Sequence, residues 1–227
     1  MIPVRRTGEP RSLTRHGARW LNQLRTVMSD SSATAKQIDR ARSQYNKRDV
    51  KTALKEMFKG KCAYCESKVT HVAPGDIEHF RPKSDPRYVD LTFEWTNLLL
   101  SCPICNGPRH KGTHFPLDAH GNPLLIDPTD GVTDPYRHLR FDWNAGTQEA
   151  FVYGVDARGR MVEDTFDLNG MRGRLDLVRH RRERVKYLAF LCERARRHDL
   201  MSHSLLLEAC SGEGEYAAFA RTLAATL

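Results

Sequence analysis

The chain has 227 residues, with 36 Lys and Arg against 28 Asp and Glu, giving a formal net charge of +8. At roughly 150 residues per domain this is one large domain or two small ones, long enough to bury a core without disulfides. A hydrophobic fraction of 40% excludes wholesale disorder, the cationic excess fits a polyanionic partner, and no apolar run reaches the roughly 18 residues of a membrane helix.

The first residues, MIPVRR, carry charge with no apolar stretch behind it, so a cytoplasmic location is expected. Six cysteines in a reducing compartment suit metal binding or burial better than bridging. Pro3 and Pro10 predict an irregular start, followed by a helix from near Ser12 or Thr14 and a polar connection over 29–35. Val50, Ala53, Leu54, Met57 and Phe58 form one apolar helical stripe, with Asp49 as its expected N-cap and Gly60 as its stop. Segments 139–143 and 148–153 predict two strands joined at Asn144-Ala145-Gly146. Beyond Gly173 the pattern turns helical and rich in arginine, and a last helix is expected over 216–226. Trp20, Trp95 and Trp143, with the lone Cys192 and Cys210, suit packing positions.

The sequence holds two CxxC pairs, Cys62–Cys65 and Cys102–Cys105. Four thiolates complete a tetrahedral zinc, so a structural Zn²⁺ is predicted there. Neither pair opens a strand-to-helix unit of the thioredoxin type, which weakens a redox reading. The stretch between the pairs is longer than a plain zinc ribbon needs, so other structure is inserted there.

That insertion contains Asp76-Ile77-Glu78-His79-Phe80-Arg81-Pro82-Lys83 and then Trp95-Thr96-Asn97-Leu98. The second pair is followed by Asn106, His110, Lys111 and Gly112. An acidic residue beside a histidine, a middle Asn and a further Asn or His after CxxC, in order, resemble the HNH endonuclease family over about 62–112. The longer pattern CAYCE, DIEHFRPK, WTNLLLSCPICN and KGTHFPL is similar to a narrower group, the PtuB-like nucleases of Septu systems and retron-associated HNH proteins of antiphage defence.

This resemblance implies an α+β fold: a zinc-stapled ββα-metal core embedded in N- and C-terminal helices. The regions would be a helical 1–58, a nuclease core over 59–128, and a hairpin plus Arg-rich helices over 129–227. It implies His79 as general base, Glu78 as acidic metal ligand, Asn97 as the residue fixing the loop that carries the base, and Asn106 as the second ligand of a catalytic Mg²⁺ or Mn²⁺. Two extra residues before Lys111-Gly112 make His110, at i+4 from Asn106, the alternative ligand. Imidazole there would tilt the site toward Ni²⁺ or Zn²⁺. Neighbouring residues on a regular strand face opposite ways, so Glu78 and His79 share a site only if the strand distorts.

Arg81, Lys83, Lys111, Arg181, Arg182 and Arg184 are the expected contacts to nucleic acid, whether DNA, tRNA or another RNA. The Arg-rich helix also reads as a solvated face or as a docking face for an acidic partner. The resemblance implies an ATPase partner and an endonuclease effector. A non-catalytic zinc-knuckle subunit that binds nucleic acid or docks a partner is the alternative.

Overall fold

The computed structural model describes residues 1–71 and 73–227. Helix α1 (Arg11–Ser29) buries Leu13, Trp20 and Leu24, one stripe at helical spacing. It begins after Pro10, whose side chain accepts no hydrogen bond. The free amide of Ser12 is instead taken by Asp49 Oδ2 at 2.8 Å, and the Ser12 hydroxyl donates to Asp49 Oδ1 at 2.7 Å. Asp49 therefore caps a neighbouring helix and not its own, because α3 (Arg48–Met57) already starts one residue earlier, with Lys47 at its N-cap. Between these two lies α2 (Ala35–Arg42), opened by a reciprocal Thr34–Gln37 capping box.

Val50, Leu54 and Met57 of α3 are buried, and the helix packs on α1 and on the second strand of the central hairpin. Gly60 turns the chain out of α3 at φ +70°, where a Cβ would stand 2.2 Å from Thr70 Oγ1. Only glycine fits that close approach and that backbone. The turn delivers Cys62 to the edge of the central hairpin, where the Ala63 amide donates to Leu100 O at 2.8 Å.

The central hairpin pairs β1 (Asp76–His79) antiparallel with β2 (Leu98–Ser101), in register Asp76↔Ser101 to His79↔Leu98. All four residues of β2 are buried. A short helix, α4 (Pro103–Asn106), follows directly and packs on β1, completing a ββα unit. A second hairpin joins β3 (Leu139–Asn144) to β4 (Glu149–Gly154), close to its predicted limits. Asn144 Oδ1 holds its turn by accepting from the Gly146 and Thr147 amides.

The chain ends in α5 (Ala157–Thr165), α6 (Leu175–Arg196), α7 (Leu200–Cys210) and α8 (Ala217–Ala224). One hydrophobic core runs from Leu13 through the central hairpin to Phe219, so the three sequence regions share it. A small satellite cluster, including Leu188, Cys192 and Leu206, joins α6, α7 and α8. Cys192 is buried, Cys210 and Trp143 only partly so.

Arg181 corrects the sequence expectation. It is 2% exposed, so it is no nucleic-acid contact. Its Nη2 donates to Ala150 O at 2.7 Å and its Nη1 to Leu168 O at 2.6 Å, tying α6 to β4 and to the turn after α5. The dense run of arginines hid this, since one of them faces inward. Arg181→Met should cost about 3 kcal/mol of stability by orphaning these carbonyls. Denaturant melts of wild type and variant check this, with nucleic-acid affinity unchanged.

Candidate active site

The four cysteines Cys62, Cys65, Cys102 and Cys105 come together with all their sulfurs within 4.8 Å of one another. A tetrahedral zinc with Zn–S bonds near 2.3 Å needs sulfurs about 3.8 Å apart, and Cys65 and Cys102 already stand at 4.0 Å. The donor set therefore fits zinc. The Cys105 amide donates to Cys102 Sγ at 3.3 Å, the local sign of a knuckle. Arg174, which the sequence reading did not single out, places Nη1 3.2 Å from Cys105 Sγ and Nη2 3.7 Å from Cys102 Sγ. Burial works against its charge, and the thiolates of Cys105, Cys65 and Cys102 outweigh that and raise its pKa. A cation there matches the surplus negative charge of four thiolates on a divalent ion.

His79 closes β1 and is 5% exposed. Its Nε2 lies 2.9 Å from Thr92 O, and a carbonyl can only accept, so Nε2 carries the proton. In the neutral ring Nδ1 is then the free base. The Tyr45 ring meets the imidazole edge-on, with centroids 4.5 Å apart at 80°. Burial, with Lys83 and Lys111 nearby, pushes the His79 pKa down to about 3.

Asn97 spans the long loop between β1 and β2. Its Oδ1 accepts from the Arg81 amide at 2.8 Å, and its Nδ2 donates to Arg81 O at 3.0 Å and to Leu91 O at 3.1 Å. Phe80 N donates to Asn97 O at 2.9 Å. This one buried side chain thus fixes the backbone on both sides of the loop that also supplies Thr92 O.

The strand stays regular through His79, so Glu78 faces the other way, toward α4. Glu78 is 3% exposed, and Lys111 Nζ stands 2.5 Å from its Oε1. Lys111, 1% exposed, also donates to His79 O at 2.8 Å. The sequence placed Lys111 on nucleic acid; burial excludes that. Asn106 donates its Nδ2 to Asp76 Oδ2 at 3.1 Å, and Asp76, two residues before Glu78 on the same strand face, was not anticipated. Glu78 is thus ion-paired with Lys111, and Asn106 spends its amide nitrogen, not its oxygen, on Asp76. A divalent ion at Glu78 would therefore meet Lys111 already on that carboxylate. Among the described residues the four cysteines are the one cluster of three or more potential His, Cys, Asp or Glu ligands.

His110 stands apart from Asn106. The chain leaves α4 at Gly107 (φ −69°, ψ 161°), so the i+4 relation to Asn106 is broken. His110 lines a groove beside the cysteines with Arg174 and Asp167, whereas Asn106 lines a separate cleft with Lys111 and His114. Of the remaining basic residues, Arg81 lies over the Phe80 and Phe115 rings, and Lys83 Nζ donates to Tyr45 OH at 2.6 Å. Arg182 is matched by Glu149 and Glu183, while Arg184 lies over Tyr187 and has no acidic partner among the described residues.

Residues 62–112 match the family model for HNH endonucleases. The ββα unit with its cysteine clasp is thus an HNH endonuclease domain, carried within a larger mixed helix-and-strand chain. Two curated relatives point to a narrower kinship. Septu protein PtuB of Bacillus mycoides (strain KBAB4) is 32% identical over 164 residues, which cover 62% of this chain and 55% of that protein. Septu protein PtuB of Bacillus thuringiensis is 33% identical over 147 residues, covering 63% of this chain and 50% of that protein. The chain spans about half the length of the curated relatives it matches. No solved structure matches it. Among the described residues no helix is long and apolar enough to cross a membrane.

One zinc per chain is the expected metal content, and Cys62→Ser should lose it together with the fold, since structural zinc supplies folding free energy of order 10 kcal/mol. Elemental analysis paired with circular dichroism checks both.

Proposed function

We propose that this protein is an HNH endonuclease that hydrolyses phosphodiester bonds, with Mg²⁺ or Mn²⁺ as catalytic cofactor and Zn²⁺ as structural ion. DNA is the first substrate candidate and RNA, including tRNA, the second. The similarity to Septu proteins supports a role as the nuclease effector of an antiphage system, inside the cell and beside an ATPase partner.

The observation that carries this reading is the tautomer of His79. Thr92 O holds the proton on Nε2, which leaves the Nδ1 lone pair for a water proton. The same hydrogen bond orients the ring throughout, as a base partner must. Tyr45 packs the ring edge and keeps bulk water off it. Asn97 fixes the loop on which Thr92 lies, so it acts on the base at one remove. Arg81 and Lys83 follow His79 directly and are the proposed phosphate contacts. Arg182 and Arg184 are proposed as weaker, outlying ones.

Burial makes His79 a weak base in the free protein. A phosphodiester carries the negative charge that offsets the Lys83 and Lys111 charges and raises its basicity, so proton transfer is tied to substrate binding. The alternative, a non-catalytic nucleic-acid-binding or docking subunit, shares the cysteine clasp and needs no free Nδ1.

His79→Ala should lower cleavage of plasmid, single strands or tRNA by at least about 10²-fold while the zinc content stays unchanged. Undiminished cleavage by the variant would remove the reading, and absence of cleavage by the zinc-loaded wild type under Mg²⁺ or Mn²⁺ would favour the alternative.

The pH profile gives a second check. The neutral ring is the active form, and protonation on the acid side abolishes it. With the pKa pushed down to about 3, kcat/KM should stay level through the usual histidine range and fall only in strong acid. An acid limb near pH 6.5, the ordinary histidine value, would show that His79 is not so buried in solution.

A further inference from the structure

Lys111 is an unusual residue to find inside a protein. Its side chain is 0% exposed, and long cationic side chains are almost never fully buried unless paired. The chain invests in placing it. The Lys111 amide donates to Cys105 O at 3.1 Å, which anchors it to the second cysteine knuckle. Gly112 then turns the chain away at φ +43°.

The ammonium lies between two groups of the active centre. It donates a directed hydrogen bond to His79 O at 2.8 Å. Toward Glu78 it stands 2.5 Å from Oε1, an oxygen closed off from solvent. The distance marks a close, buried ion pair. The buried hydroxyl of Tyr64 adjoins the same carboxylate. A buried carboxylate oxygen already matched by one cation can equally ligate a divalent one.

Charge balance points the same way. Glu78 is one anion, and Lys111 and Lys83 both act on it. A divalent ion added beside an unmoved Lys111 would bring three positive charges onto a single buried carboxylate. Like charges at such distances repel strongly in a low-dielectric site. Either the ion goes elsewhere or Lys111 leaves.

We propose that Lys111 is the resident counter-cation of Glu78, and that a divalent ion reaches Glu78 by displacing the Lys111 ammonium, so that the two compete for one carboxylate. This rests on the nuclease reading for its biological purpose but not for its test, which needs no nucleic acid. Lys111 is thereby a positioning residue: without the ion it pairs with Glu78 and pins the His79 peptide, and on displacement it yields that carboxylate.

The experiment uses zinc-loaded full chain and Mn²⁺ alone as probe. Mn²⁺ binding is read from the paramagnetic resonance signal of the free ion, for wild type, Lys111→Met and Glu78→Gln. In parallel, wild-type lysines are reductively methylated with and without Mn²⁺, and each is followed by peptide mass spectrometry. Lys111→Met should bind Mn²⁺ at least about tenfold more tightly than wild type, because a competing charge has gone. Glu78→Gln should lose the site. In wild type, Lys111 should label slowly without Mn²⁺ and at least about tenfold faster at saturation, while exposed Lys36 keeps its rate.

Mn²⁺ binding to wild type that is lost in Glu78→Gln, with Lys111 labelling unchanged, would overturn the proposal. So would weaker or equal binding by Lys111→Met, which would make Lys111 a plain strut, and so would an absence of binding in both proteins. If Lys111→Met does not retain zinc, the wild-type labelling decides alone. Cleavage that depends on His79 would survive each of these failures, so the nuclease reading and the competition are separable.

Discussion

The clasp of four cysteines is the constraint on which the remaining geometry depends. Its two pairs lie at opposite ends of the segment that forms the β1–β2 hairpin, and β2 runs straight into the second pair. Once the pairs meet, the hairpin has its register, α4 lies across β1, and Lys111 is brought to Glu78 by a backbone bond to Cys105. Arg174 reaches the sulfurs from the start of α6, so the clasp also fastens the C-terminal helices to the nuclease unit. Local conformations this short would not persist alone. Two four-residue strands and a one-turn helix are below the size that is stable in water.

Around that frame the candidate site is closed. His79, Glu78, Asn97 and Lys111 are all buried, and three of them contribute to holding backbone. His79 is neutral with one nitrogen committed to Thr92 O, and Glu78 is ionically matched. Such a site has its charges matched before any ligand arrives. That property follows from burial and pairing alone.

Much of this was legible in the sequence, and the parts that were not share a cause. The CxxC spacing, the α3 stripe and the second hairpin are local patterns, and each appears close to where the periodicity or turn chemistry placed it. The family motif brought His79, Glu78 and Asn97 to notice. What stayed hidden were charged side chains whose partners come from distant segments. Arg181 reads as one more solvated arginine because its partners are carbonyls of Ala150 and Leu168, which no side-chain pattern reveals. Lys111 reads as a phosphate contact for the same reason. Asp49 sits where a helix cap belongs, but the neighbouring helix, starting from Pro10, had the greater need of an acceptor. His110 lost its helical relation to Asn106 through Gly107-Pro108, a break visible in the sequence whose direction was not.

The state of the His79 ring ties these elements together, since it depends on the clasp, the loop held by Asn97 and the flanking lysines. Nitrogen-15 shifts of that ring, followed by NMR from about pH 8 to about pH 4, report tautomer and charge directly. The structure predicts a neutral ring with its proton on Nε2 across that whole range. A ring protonated on Nδ1, or one that becomes an imidazolium with a midpoint near pH 6.5, would contradict it.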